Sequence, residues 1–516
     1  MSNRFPEDKK SANPSQTKFG RRQFGKLLAL GAGGIALGFD NRASAQEGES
    51  QSKSEFLADS GKPISGEHEA DYVIVGAGLS GLIAARDLLR AGKSVLVLEA
   101  RSRIGGRMFL KKTIEDGVLD LGGQWVGPTQ TSILALLEEL KIQKFDSYAE
   151  GNSILSWRGQ KTNFDGDVAK VLAGKYGITQ ADRDDQARQW KAFKEIVATV
   201  PASTPWTAPN AKALDSQTLQ SWLESMSTTP YTLWPMAMQA RIGGSGAFEP
   251  SQASILHMAW TQVVGPQEEK PETWLLHGGA GQVPAMLAKE IGDRRIVLNA
   301  PAQSIAQEGG KVTVTSGNLS VKAKAVIVAI PPPLRAGIRF SPTLPSMHSG
   351  LIQRSPMGSI SKVHAVYPTA FWRPLGISGS AAGDLKTCEF IADSSPPSGK
   401  PGILTSFIAG NRNLELAGAS REVIRSAVLD DYTYYFGKEA ATPSEFLVFN
   451  WSDQSWTSGA FTNYMPPGVW TSFGPAWREP VGKIFWAGTE VSDRWPGYFD
   501  GAVRAGQAAA KDALAV

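Results

Sequence analysis

Two apolar periodicities alternate along this chain. An unbroken run, Tyr72-Val-Ile-Val75, stops at Gly76-Ala-Gly78-Leu-Ser80-Gly81. A helical stretch follows, and then a second run, Ser94 to Leu98, ends on Glu99. Short unbroken runs predict strands buried on both faces of a parallel sheet. A similar run is Ala325–Ile330 (closed by three prolines), and strands are also expected at Val312–Thr315 and at Lys483–Ala487. Ile133, Leu134, Leu136, Leu137 and Leu140 recur at helical spacing, and the stretch from about 132 to 269 reads as mainly helical, with a break around Pro201, Pro205 and Pro209. A last, alanine-rich helix is expected over Gly501–Leu514. Alternation at 361–366 puts Lys362, His364 and Val366 on one face of a strand. There is no internal repeat.

The first two runs and the helix between them make one βαβ unit built for a dinucleotide. Gly76 lets the chain turn off the strand, Gly78 leaves room for a pyrophosphate to approach the backbone, and Gly81 lets the helix pack close to the sheet. The helix N-terminus, with Ser80 in its first turn, directs free N–H groups at the phosphates. Glu99 lies 18 residues past Gly81, where a carboxylate accepts from ribose hydroxyls. The expected fold class is α/β: a Rossmann-like domain assembled from residues 68–147, 270–350 and 454–516. The intervening segments 148–269 and 351–453 form a mixed α+β substrate domain, and the site is expected between the two.

A chain of 516 residues is too long for one core. The net charge of +4 is uneven: residues 1–45 carry eight Lys/Arg against three acids, which leaves the remainder at −1. The basic balance belongs to the leader and implies no nucleic-acid partner. That leader has Arg21-Arg22, a short apolar stretch from Leu27 to Leu37, and Ala43-Ser44-Ala45. It reads as a twin-arginine export signal over 1–45, cleaved after Ala45, and its apolar stretch is well below the roughly 20 residues of a membrane span. Residues 46–67 read as a flexible linker. The mature protein is therefore expected in the periplasm, exported folded and without a stable membrane span. Cys388 is the single cysteine, so no intrachain disulfide is available, and the five histidines show no metal-ligand spacing.

Several further motifs occur in a fixed order: Arg101-x-x-x-Gly105-Gly106-Arg107, Leu119-Asp-Leu-Gly122-Gly123-Gln124-Trp125, Gly278-Gly279-Ala-Gly281-Gln282, Met357-Gly358-Ser-Ile-Ser-Lys362, Ala487-Gly488-Thr489-Glu490 and Trp495-Pro-Gly497-Tyr498-Phe499. Together they resemble the flavin monoamine oxidase family over roughly residues 68–514. The resemblance implies FAD, with Gly76, Gly78, Ser80, Gly81, Glu99, Arg101, Gly106, Arg107 and Ala302 on its nucleotide side. It implies Gly123, Gln124, Trp125, Trp451 and Phe499 nearer its ring, and Glu490 on its ribityl or pyrophosphate side. Lys362 takes the place of the family's lysine, which holds a water against flavin N5. Tyr498 and Phe461 take the places of two rings that flank the amine nitrogen, Phe461 standing where many members have tyrosine. Trp456 is a further candidate for the pocket lining. Members with covalent flavin carry cysteine where this chain has Ala460, so FAD is expected without a covalent bond, and Cys388 is read as a buried structural thiol.

The resemblance implies oxidative deamination of a primary or secondary amine. Hydride passes to the flavin, an imine is hydrolysed to aldehyde or ketone, and O₂ is reduced to H₂O₂. No side-chain general base is required in this reading, and an apolar site favours the neutral amine. The alternatives are an L-amino-acid oxidase, which needs a buried arginine for the carboxylate (Arg241 or Arg504), a polyamine oxidase with acids at the cavity mouth, an amine dehydrogenase with a cytochrome or quinone acceptor, and a redox-silent flavin binder. A homo-oligomer is left open.

Overall fold

The computed structural model describes residues 65–114, 117–164, 178–244, 246–265, 271–385 and 387–516. The expected export signal and most of the expected linker lie outside them. The linker ends sooner than anticipated. Gly66–Glu69 is a strand lying parallel to Leu319–Lys322, so Gly66 and Glu67 already belong to a sheet. Its polar residues concealed it, since an edge strand needs no apolar run.

The sheet that positions the site has five strands, in the order Ile296–Val297, Val95–Leu98, Tyr72–Val75, Ala325–Val328, Ile484–Trp486. Every pair is parallel. Its strands come from three separate stretches of the chain. All four residues of Tyr72–Val75 and of Ala325–Val328 are buried, as unbroken apolar runs require when both faces are covered. Helices Leu79–Arg90, Gln282–Ile291 and Phe499–Leu514 share one core with one face. The other face packs on a second five-stranded sheet, built largely from Ser304–Glu308, Lys311–Ser316 and Leu319–Ala323, and on the helices between 180 and 264. Chain order reverses between Tyr72–Val75 and Ala325–Val328, which makes the crevice at their C-terminal ends the topological switch point where such sheets take ligands.

A seven-stranded sheet forms the other half of the molecule, in the order Glu445–Asn450, Ile360–Tyr367, Gly402–Ala409, Phe390–Asp393, Ile377–Gly383, Asn152–Trp157, Gln160–Phe164. Every residue of Ile360–Tyr367 is buried. Val363 and Ala365 join the core that includes helix Arg421–Phe436, while Val366 packs with Leu119 and Leu121 of the first domain. The expected alternation therefore turns Lys362, His364 and Val366 toward that domain.

The stretch expected to be helical contains helices Gln180–Val197, Leu219–Met226, Pro230–Ile242 and Ile255–Val264, but it also holds the hairpin Asn152–Trp157 and Gln160–Phe164. Its two-residue turn puts Arg158 at φ 50° and Gly159 at φ 75°, the twist a tight hairpin needs. An arginine in the first turn position masks the signal. Among the described residues no helix is long and apolar enough to cross a membrane, and no cluster of His, Cys, Asp and Glu is placed to hold a metal.

Candidate active site

The glycine-rich turn is built as its sequence requires. Gly76 has φ +104°. A Cβ on Gly81 would stand 2.0 Å from the Gly76 carbonyl oxygen, so only glycine lets the helix sit this close to the strand. A Cβ on Gly78 would meet no protein atom within 4 Å, so the space before it is open. No side chain caps the helix that starts at Leu79, which leaves its first N–H groups facing that space. Ser80 Oγ accepts from the amide of Gly488, which ties the turn to the Ala-Gly-Thr-Glu motif.

Glu99 is buried, and its oxygens accept from the amides of Ala77 (2.7 Å) and Arg101 (2.9 Å). Arg101 donates to Thr457 Oγ1. Gly105 bridges to Gly78, and Gly106 lies against the Gly78 backbone. The amide of Ala300 bonds to the Glu99 carbonyl, which brings the partly buried Ala302 to the nucleotide end.

Glu490 and Arg107 face each other at 2.6 Å, and Arg107 also donates to the Phe461 carbonyl. The second carboxylate oxygen of Glu490 is buried with no partner. An open glycine turn, uncapped helix amides and an orphaned buried carboxylate oxygen fit a dinucleotide with hydroxyl groups along its chain, as in FAD. Glu99, Ser80, Gly106, Arg107 and Glu490 are placed to hold it.

Beyond this cradle lies a buried cluster centred on Lys362. Its Nζ donates to the carbonyls of Asp120 (2.7 Å) and Gly122 (2.7 Å) and to Gln124 Oε1. Three acceptors match the three donors of an ammonium group. Holding a water would require Lys362 to release one of them. Trp125 lies 5.4 Å from the same nitrogen. The intervening Leu121 carbonyl faces the other way and accepts from Trp451 Nε1 at 2.9 Å. Gly123 abuts the Phe499 ring so closely that a Cβ would come within 2.6 Å of it.

Burial pulls the pKa of Lys362 down to about 7, against the pull of Asp120 and Glu272. Burial pushes Asp120 up to about 6, opposed by the amides of Ala280 and Gly281, which its carboxylate accepts from, and by Lys362. His364, engaged with Thr405 Oγ1 and the Asp120 carbonyl, is held neutral by burial and by the neighbouring lysine.

Tyr498 is aimed by a strained turn. Trp495 sits at φ +57°, which a bulky residue rarely adopts. Thr489 Oγ1 clamps the turn from both sides, accepting from the Gly497 amide and donating to the Tyr498 carbonyl. The Tyr498 ring stands edge-on to Trp495 at 4.9 Å, and Phe461 packs beside Gly497. Phe461 and Tyr498 are thus neighbours across one glycine. Trp456, by contrast, is 41% exposed and stands outside the buried cluster. Ala460 is buried, and Cys388 is a buried free thiol whose pKa burial pushes up.

Two acids escaped the sequence reading. Asp120 carried a legible signal, a lone carboxylate inside the apolar Leu-Asp-Leu run. Glu272 carried little, since it precedes the Trp274–Leu276 strand by two residues. Lys362 and the Tyr498 hydroxyl both act on the Glu272 carboxyl and favour its charged form. Both candidate carboxylate-binding arginines are engaged elsewhere. Arg241 forks onto Glu389 with two 2.7 Å bonds and reaches Glu249, while Arg504 bonds to Asp500.

A dinucleotide cradle opening onto a buried lysine and a pair of aromatic rings defines a flavin-dependent oxidoreductase. The family described as flavin containing amine oxidoreductase matches residues 79–514, and that of pyridine nucleotide-disulphide oxidoreductases matches residues 26–120, which include the βαβ unit. An L-amino acid dehydrogenase of Synechocystis sp. is 42% identical over 86% of this chain and 94% of its own length. A putrescine oxidase of Kocuria rosea is 33% identical over 86% and 95%. The structure of cyclohexylamine oxidase from Brevibacterium oxydans superposes with a TM-score of 0.80 at 32% identity, over 86% of this chain and 99% of that one. The chain belongs to the flavin-containing amine oxidoreductases and is an oxidoreductase acting on amines.

Proposed function

We propose that this enzyme deaminates a primary or secondary amine that lacks a neighbouring carboxylate. The observation that carries this reading is the Lys362 cluster. A buried lysine nitrogen is fixed on the backbone of the segment expected beneath the flavin, and it acts on the same Glu272 carboxyl as the Tyr498 hydroxyl. FAD, held without a covalent bond by Glu99, Ser80, Gly106, Arg107 and Glu490, would supply the acceptor for the hydride from the carbon next to nitrogen and the route for its electrons to O₂, giving H₂O₂. Absence of a covalent link is supported by Ala460 and by burial of Cys388 in a different core, with Val363 and Tyr432.

Tyr498 and Phe461 hold the amine by their faces and restrict its orientation. The buried surroundings raise the energy of an unpaired ammonium and so favour the neutral amine. The imine product is hydrolysed to aldehyde or ketone. The twin-arginine leader supports the further proposal that the enzyme works in the periplasm.

One relative favours a second reading. The Synechocystis protein is named an L-amino acid dehydrogenase, so this chain would oxidise an amino acid and pass electrons to an acceptor other than O₂. The engagement of Arg241 and Arg504 by protein carboxylates weighs against it. A panel of aryl-alkyl amines, polyamines and L-amino acids separates the readings, scored by anaerobic flavin bleaching and by peroxide yield in air. Bleaching by simple amines with one peroxide per turnover is expected. Bleaching by amino acids alone, without peroxide, would establish the second reading, and a flavin that none of them bleaches would reject both.

A further inference from the structure

The oxidation of an amine requires a lone pair on nitrogen, yet simple amines reach an enzyme at neutral pH as ammonium ions. Some group must therefore accept the cation and remove one proton. Around Tyr498 the structure leaves little choice. All three donors of Lys362 are engaged. Both carboxylate oxygens of Asp120 accept backbone amides. Both ring nitrogens of His364 have partners. Glu490 is paired with Arg107, and its second oxygen is the one that fits the cofactor.

Glu272 differs from all of these. It retains exposed surface although protein surrounds it, and the side chains that act on its carboxyl are Lys362 and Tyr498. Its backbone is held firmly. The neighbouring Thr273 and Trp274 amides bond to the Val126 carbonyl, Gln130 donates to the Pro271 carbonyl, and Gly127 abuts that carbonyl closely. Glu272 is thus registered against the same 122–127 segment that presents Gln124 to Lys362.

We propose that Glu272 docks the substrate's ammonium group beside Tyr498 and accepts its proton, making cationic amines without a carboxylate the substrate class. The exchange is R–CH₂–NH₃⁺ plus Glu272 carboxylate giving R–CH₂–NH₂ plus Glu272 carboxylic acid. No net charge is created, so a site shielded from water favours it. The proton leaves to water when product departs. The same carboxylate repels an amino acid's carboxylate.

The groups facing Glu272 are consistent with this role. Burial lifts its pKa to about 7, while Lys362 and the Tyr498 hydroxyl hold it from rising further. The strand paired with Trp274–Leu276 brings Lys144 and Asp146, and Lys144 lies over the Trp274 ring. A carboxyl titrating near neutrality suits a proton acceptor at that pH. This inference rests on the amine-oxidase reading and replaces its expectation that no side-chain base takes part.

The test compares the wild-type holoenzyme with Glu272→Gln and Glu272→Asp. Benzylamine and its neutral isostere benzyl alcohol are titrated anaerobically against the flavin spectrum from pH 6 to 10. For Glu272→Gln, affinity for benzylamine at pH 7 should fall about 10- to 100-fold, the loss of one charge-assisted contact, while affinity for benzyl alcohol is unchanged. Flavin bleaching by the Gln variant should recover only as pH rises toward the amine's own pKa, and Asp should restore much of the wild-type profile. Superimposable pH profiles for wild type and Gln overturn the proposal, as does equal loss of both ligands. A wild-type flavin bleached by no amine at all would overturn the underlying reading instead, so the two failures are distinguishable.

Discussion

Replacing Gly78 and Gly81 by alanine, one at a time, separates what the glycine turn does for the fold from what it does for the cofactor. At Gly81 the new methyl would sit 2.0 Å from a backbone oxygen and 3.2 Å from Ala329 Cβ. That is about 1.5 Å short of ordinary contact. The helix has little freedom to retreat, because Gly506 of Phe499–Leu514 already lies against Ser80 and Ile83 on its far side. Overpacking of this kind costs about 1–3 kcal/mol, here near the upper end because the obstacle is main chain.

At Gly78 the methyl would meet no protein atom, and the backbone there (φ −74°, ψ 172°) is ordinary for alanine. The apoprotein should be unchanged or stabilised by about 0.4–1 kcal/mol. The methyl instead occupies the approach of the phosphates. Losing two charge-assisted hydrogen bonds of about 1.5–3 kcal/mol each weakens FAD binding by roughly 10²- to 10⁴-fold. Urea denaturation of the apoproteins gives the first quantity, and quenching of flavin fluorescence on titration into them gives the second. Gly81→Ala should lose both stability and affinity, Gly78→Ala affinity alone. A Gly78→Ala protein that holds FAD as tightly as wild type would refute the placement of the pyrophosphate.

Three other outcomes follow from the buried charges. Asp120→Asn leaves one of the Ala280 and Gly281 amides facing an NH₂ group, and should destabilise the apoprotein by about 1–3 kcal/mol in urea. Lys362 titrates near 7 in the folded protein against an ordinary 10.5, so between these values the unfolded chain holds the extra proton and stability rises with pH. Urea midpoints from pH 7 to 9.5 should climb more steeply in wild type than in Lys362→Met. Arg241→Lys loses the fork onto Glu389 and should lower stability by about 1–3 kcal/mol, yet leave the KM for amines unaltered; a changed KM would return Arg241 to the substrate pocket.

The parts of this molecule that were legible in advance are those where one local rule decides. Unbroken apolar runs placed Tyr72–Val75, Val95–Leu98 and Ala325–Val328, because strands covered on both faces have no polar side to present. The turn after the first strand was readable because backbone proximity at Gly81 admits one residue type. The hairpin at 152–164 was not readable, since the positive φ of Arg158 is imposed by strand pairing. Glu272 was missed because its role depends on Tyr498, more than 200 positions away, which no local pattern registers. Arg241 and Arg504 were fair candidates by residue type, and only packing shows that protein carboxylates already occupy them.

The segment from Asp120 to Gln124 explains why the two halves of the molecule act as one site. Its successive carbonyls point alternately, as in any extended chain. Those of Asp120 and Gly122 take Lys362, and that of Leu121 takes Trp451 on the adjacent edge strand's extension. The Asp120 side chain meanwhile anchors the start of helix Gln282–Ile291. One short segment of the nucleotide domain therefore sets the register of two side chains from the substrate domain. Sliding the domains apart would break three bonds from the buried Lys362 nitrogen and leave three buried carbonyls without partners, each at about 1–3 kcal/mol. Access for substrate must then come from side-chain or loop movement around the pocket, while the distance between Lys362 and the cofactor cradle stays constant through the catalytic cycle.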